Sequence, residues 1–130
     1  MENHARRVLI AEDDRFLRKA AAAMLRRKGF TVLTAEDGQE TLRVARAETP
    51  DLLLLDLIMP KLHGFEVLKA LKEDPETSPI PVVILSNLGQ ESDSKTAQEM
   101  GALDYWVKAN LDLEELVRRI EGIFANGNVK

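Results

Sequence analysis

The chain has 130 residues, 45% of them hydrophobic and 31% charged, with 18 Lys and Arg against 22 Asp and Glu for a net charge of −4. That is enough for one domain around a single core, and so mild a charge gives no reason to expect a nucleic-acid partner. Cysteine is absent, which excludes disulfides, thiol nucleophiles and thiolate-bound metal centres. The longest apolar runs are strand-sized, well short of the roughly 20 residues of a membrane helix, and the polar start Met1-Glu2-Asn3-His4 lacks a signal-peptide core. A cytoplasmic protein with no membrane contact is therefore expected.

Val8 to Ala11 is an apolar, β-branched run that predicts a strand, and a helical pattern follows from Phe16 to Lys28, closed by Gly29. Phe30 to Thr34 predicts a second strand. Asp37 and Glu40 have the spacing of a capping box, which opens a helix through Ala47 or Glu48 before Pro50 stops it. Asp51 to Leu55 predicts the third strand and Phe65 to Lys72 the third helix, broken by Asp74-Pro75 and Ser78-Pro79. Ile80 to Leu85 is the fourth strand, Glu91 to Met100 a polar helix closed by Gly101, and Ala102 to Val107 the fifth strand. Asp112 and Glu115 cap a last helix that reaches Phe124.

Strands alternating with helices imply an α/β protein with a doubly wound (βα)5 architecture, a five-stranded parallel sheet with helices on both faces. The domain is expected over residues 6–125, with 126–130 as a short flexible C-terminal tail. Ligands of such sheets bind beyond the carboxyl ends of the strands. The residues found there are Glu12, Asp13, Asp56, Ser86 and Lys108.

Three carboxylates around one crevice repel one another, and a hard divalent cation relieves that repulsion; Mg2+ suits a few carboxylates with waters and phosphate oxygens. Ser86 can hydrogen-bond a phosphoryl oxygen and Lys108 can neutralise another. Asp56 would then be the nucleophile, forming an aspartyl phosphate. Each residue alone has a plainer reading: Asp13 or Asp14 as a helix cap, Asp56 as a loop acid, Ser86 as a turn residue and Lys108 as a surface lysine. Their joint arrival at strand ends favours the chemical one.

These residues resemble the motifs of the response-regulator receiver domain. The acidic pair stands in Val8-Leu9-Ile10-Ala11-Glu12-Asp13-Asp14, the phosphoacceptor stretch is Asp56-Leu57-Ile58-Met59-Pro60 with Gly64, the hydroxyl is Ser86 and the lysine Lys108, and the likeness covers residues 6 to 125. The resemblance implies a flavodoxin-like fold and a phosphoacceptor signalling module of a two-component phosphorelay. Asp56 would receive a phosphoryl group from a histidine kinase or a histidine phosphotransfer protein, with Mg2+ as cofactor. Asp13 and Asp56 would ligate the magnesium directly, Glu12 largely through water, and the Ile58 carbonyl would complete the protein ligands, leaving Asp14 as a capping residue. Tyr105 matches the switch aromatic, drawn inward with Ser86, or else is plain core. The face of the fourth helix, fifth strand and fifth helix would dock a downstream protein target, with the chain a monomer or weak dimer.

The chain departs from the family at Ala109, where proline usually follows the lysine, so the Lys108-Ala109 bond is either trans or held cis under strain. Asn87 stands where a small residue is common. Apolar Ile58 and Leu88 suggest slow self-dephosphorylation. His4 and His63 are not expected as phosphodonors, and Trp106 is expected to be half-packed beside the lysine strand.

The chain is expected not to be an enzyme, beyond catalysing its own phosphorylation and dephosphorylation at Asp56. The length leaves no room for an attached output domain, so output by protein contact is expected unless the chain is part of a longer protein. The alternative is a receiver-like interaction module that signals without phosphorylation. A phosphatase of the haloacid-dehalogenase type would resemble Asp-x-Asp, and its second acid is replaced here by Ile58. Nucleotide binding lacks both Gly-x-Gly-x-x-Gly and a Walker loop.

Overall fold

Consecutive apolar residues make strands that are buried on both faces, and the helices between them carry one apolar stripe each. In a computed structural model, which describes residues 5–87 and 91–126, these become β1 Arg7–Ala11, α1 Arg15–Arg27, β2 Thr31–Ala35, α2 Gly38–Glu48, β3 Leu52–Asp56, α3 Gly64–Glu73, β4 Val82–Ser86, α4 Glu91–Glu99, β5 Asp104–Val107 and α5 Leu113–Ala125. The five strands form one parallel sheet in the order β2-β1-β3-β4-β5. The doubly wound (βα)5 architecture is therefore as expected from the sequence.

Alternation along each strand divides the core into two layers. Val8, Ile10, Leu52, Leu54, Val83, Leu85 and Trp106 face α1 and α5, where they meet Leu25, Leu116 and Ile120. Leu9, Leu53, Leu55, Val82 and Ile84 face the other way, toward Ala45 of α2, Leu68 and Leu71 of α3 and Ala97 of α4. Leu52 to Leu55 are wholly buried, so β3 is held from both sides and its last residue, Asp56, is fixed at the edge of the sheet.

Several boundaries differ from the sequence reading. β2 runs to Ala35, β4 begins at Val82, and β5 is the short Asp104–Val107. A single 3-10 turn, Lys108–Asn110, joins β5 to α5 and was not anticipated. Asp14, Asp37 and Asp112 cap α1, α2 and α5 by accepting the amides of Leu17, Glu40 and Glu115. His63 caps α3, its Nδ1 accepting from the Phe65 amide at 3.1 Å while Glu66 accepts from the His63 amide at 3.1 Å. His4 lies outside the described residues, as do Leu88 and residues 127–130 of the expected tail. No helix of the described residues is long and apolar enough to cross a membrane.

Candidate functional site

The strand order reverses between β1 and β3, whose neighbouring carboxyl ends open the crevice in which doubly wound sheets bind ligands. Glu12 and Asp13 follow β1 directly and Asp56 is the last residue of β3. Glu12 and Asp56 are 1% and 5% exposed, whereas Asp13 faces solvent. Carboxylate oxygens of these three residues lie within 4.8 Å of one another. Ser86, 1% exposed, ends the adjacent strand β4, and Lys108 follows β5.

Lys108 closes the cluster. Its Nζ lies 2.5 Å from Glu12 Oε1 and 3.3 Å from Asp56 Oδ2. The lysine is pinned chiefly on Glu12, and Asp56 receives the weaker share of its charge. Burial, followed by the charge of Glu12, pushes the Asp56 carboxyl up to about 7, with Lys108 only partly opposing the rise. Burial works to lower the Lys108 ammonium, but the Glu12 and Asp56 carboxylates outweigh it and hold its pKa above the usual lysine value. A pocket that protonates one acid near neutrality to relieve crowding is electrostatically suited to a divalent cation, and its donor set is all oxygen, as Mg2+ prefers.

The loop beyond Asp56 is tied at several points. The Ile58 amide donates to Asp56 Oδ1 at 3.4 Å, and the Ile58 side chain is 56% exposed. Gly64 donates to the Leu57 carbonyl at 2.6 Å, and a Cβ at position 64 would sit 2.7 Å from the Leu57 Cα and 3.0 Å from the Asp56 carbonyl. Only glycine lets α3 start this close to the acid's own backbone. Across the loop, the Gly38 amide donates to the Pro60 carbonyl at 3.3 Å, and Lys61, held at φ 74°, reaches Asp37 with Nζ to Oδ2 at 3.5 Å.

The Lys108-Ala109 bond is trans, since no described peptide bond is cis, and the 3-10 turn delivers the ammonium to the acids without proline. Asn87 is exposed. Tyr105 is half-buried against the layer that includes Ala97, on the α4 side of β5. Trp106 points the other way and is 5% exposed, which corrects the expectation that it is half-packed: its indole donates to Asp104 Oδ2 at 2.9 Å and lies under the Arg119 guanidinium, 5.4 Å from the ring centroid. The sequence reading missed Arg18, a buried arginine on α1 whose side chain turns back to the carbonyls of Glu12 and Asp13. Its place on the same helical stripe as Ala21, Ala22 and Leu25 was the available signal.

A family model described as the response regulator receiver domain matches residues 8–121. The chain is 40% identical over 119 residues to Protein PilH of Pseudomonas aeruginosa, covering 92% of this chain and 98% of PilH. It is also 40% identical over 117 residues to the transcriptional regulatory protein CpxR of Escherichia coli, covering 90% of this chain and 48% of CpxR, so it spans about half of that relative. Its fold superposes on the chemotaxis response regulator CheY4 of Vibrio cholerae with a TM-score of 0.84 at 26% identity, covering 92% of this chain and 99% of that one. These matches correct one expectation. Receiver domains have intrinsic autophosphorylation and autophosphatase activity, and the acidic cluster such catalysis uses is present, so the reading that the chain is not an enzyme is overturned.

Proposed function

The chain belongs to the response-regulator receiver family and is a phosphoacceptor module, and on that premise we propose that Asp56 is the acceptor, within a domain spanning residues 6–125. Family membership carries with it partnership with a histidine kinase or phosphotransfer protein. The observation that carries the assignment to Asp56 is its position: a buried carboxylate at the carboxyl end of β3, within 4.8 Å of Glu12 and Asp13 and 3.3 Å from Lys108.

Glu12, Asp13, Asp56 and the Ile58 carbonyl would hold Mg2+, which when bound supplies positive charge that draws the carboxylates and the phosphoryl oxygens together. Lys108 shifts from Glu12 toward the incoming phosphoryl group. An Asp56 oxygen attacks phosphorus as the P–N bond of the donor histidine breaks; the imidazole leaves with the electron pair and takes up a proton. Ser86 then donates to one phosphoryl oxygen and Lys108 pairs with another, so charge in the transfer is met by groups gathered at the strand ends.

Movement of Ser86 toward the phosphoryl group frees space that Tyr105 takes up, and the face of α4, β5 and α5 is the surface read by a downstream protein. The exposed apolar Ile58 offers no hydrogen bond to a hydrolytic water, which favours slow loss of phosphate; Ile58→Asn is expected to speed the decay of the phosphorylated form. A module that signals without phosphate draws support from Ala109 in place of proline, and is weakened by a trans bond that still delivers Lys108 to Asp56.

The test is intact mass spectrometry of the wild type and Asp56→Ala after incubation with a small-molecule phosphodonor and Mg2+. One labile phosphoryl adduct on the wild type alone is expected. An adduct that survives Asp56→Ala would move the acceptor elsewhere, and no adduct from either the phosphodonor or a cognate kinase would favour the phosphate-independent module.

A further inference from the structure

Among the described residues the buried charged side chains are Glu12, Asp56 and Arg18, and only Arg18 has no part in the phosphoryl chemistry. A guanidinium taken out of water costs several kcal/mol unless its donors are met. The Arg18 Nη1 donates to the Glu12 carbonyl at 2.8 Å and to the Asp13 carbonyl at 3.4 Å, while Nη2 lies 3.8 Å from Glu36 Oε1. The Glu36 side chain is 70% exposed, so that ion pair is weak and the main-chain carbonyls are the principal partners.

The acid pair is consequently held from both ends of its backbone. The Glu12 amide donates to the Ala35 carbonyl of β2 at 3.0 Å, and its carbonyl is gripped by Arg18. The Asp14 amide donates to Glu12 Oε2 at 3.1 Å, and the Asp14 carbonyl accepts the Arg18 amide at 2.9 Å. Arg18 thus binds the first turn of α1 to the residues that carry two of the three carboxylates. Its hydrogen bonds to the pair go to the main-chain carbonyls, so it acts on their backbone.

We propose that Arg18 is a positioning residue for the cation: by fixing the Glu12 and Asp13 carbonyls it holds the acid pair in the spacing a small octahedral ion requires, and so sets the preference for Mg2+ over Ca2+. This rests on the Mg2+ reading of the site. Mg2+ demands near-ideal octahedral geometry, whereas Ca2+ adapts to loose and irregular donor sets. A loosened β1–α1 connection therefore penalises Mg2+ selectively. A purely electrostatic role has the opposite signature, because removing a positive charge near three carboxylates tightens both cations.

Calorimetric titration of the unphosphorylated protein with Mg2+ and with Ca2+ tests this, with circular dichroism in chelator to establish that each variant is folded. Loss of a group that orients metal ligands commonly weakens metal binding 10- to 100-fold, so Arg18→Gln is expected to weaken Mg2+ about tenfold and to change Ca2+ by less than about threefold. Arg18→Lys keeps the charge and one reach to the Glu12 carbonyl, and should fall between wild type and Arg18→Gln; it carries the test should the glutamine variant not fold. Equal weakening of both ions, an unchanged Mg2+ affinity, or tighter binding of both would overturn the proposal. Failure of the underlying reading is separate: a wild type that binds no Mg2+, or an Asp13→Asn variant that binds it as well as wild type, would remove the metal site itself.

Discussion

Two helices flank β5 and are anchored very differently. α5 buries Leu116, Val117, Ile120 and Ile123 against β1, β3 and β4, and it shares their layer with Trp106. α4, on the Tyr105 side, places Ala97 alone among its described residues in the core. Full burial of an aliphatic side chain contributes about 1.5–3 kcal/mol, and a single methyl about 0.8 kcal/mol. One wall of the proposed signalling face is therefore fastened and the other is lightly anchored. If the face changes when Asp56 is modified, α4 is the element that can yield at low cost, with α5 as its fixed reference.

The largest effect that could break this contrast is truncation in each helix. Ile120→Ala should cost about 2–5 kcal/mol in urea unfolding, whereas Gln98→Ala, on the exposed side of α4, should stay within about 0.5 kcal/mol. A loss above 1 kcal/mol at Gln98 would mean that α4 is held by more than its apolar contacts.

A smaller effect comes from the acid pocket. With the folded-state Asp56 carboxyl raised to about 7 against 3.8 for the free side chain, the folded metal-free protein holds the proton that the unfolded chain releases. Stability attributable to this group is complete below about pH 4 and is lost as pH rises through 7. Asp56→Asn, measured in chelator, should stabilise the protein by about 2 kcal/mol at pH 8, a figure already discounted for solvent reaching the site, and hardly at all near pH 4. If α4 is the yielding element, hydrogen exchange in this variant should slow more in α4 than in α5. A stabilisation that does not depend on pH would show that the carboxylate is not under the strain inferred for it.

Smaller again is the cap of the fastened helix. Asp112→Ala should cost about 1 kcal/mol and speed exchange at the start of α5 while leaving α4 as it was. Last, Arg119→Ala removes the cation over Trp106 and should cost about 0.5–1 kcal/mol with a change in tryptophan emission. Emission that also changes on phosphorylation would indicate that the α5 side moves too, against the contrast drawn above.

Much of the site was legible because it lies where apolar runs end. Leu52 to Leu55 have no polar break until Asp56, and the same logic marks Glu12, Ser86 and Lys108; the parallel sheet then gathers these ends without further instruction. What escaped depended on where particular side chains turn and on short elements that residue type does not announce. Arg18 reads as a solvated helix residue, since arginine is seldom buried, and only the return of its side chain to the Glu12 carbonyl explains its place. Trp106 was read as half-packed because its cover comes from Arg119 of a later helix. The His63 cap was hidden by an uncommon capping residue, and the Lys108–Asn110 turn by its three-residue length. Gly64 was noticed as a motif glycine, but its necessity lies in the Leu57 backbone beside it.

The strand order also has a consequence for the chain as it is being made. Strands β2, β1 and β3 are adjacent in the sheet and are the first three in the chain, so the part carrying Glu12, Asp13 and Asp56 emerges from the ribosome before Ser86 and Lys108 do. During that interval the nascent half-sheet holds its acids with no lysine to neutralise them, and it exposes the β3 edge that β4 will later cover. Protonation of one acid is then the nearest relief for their mutual repulsion, so the half-sheet is more sensitive to pH than the finished sheet.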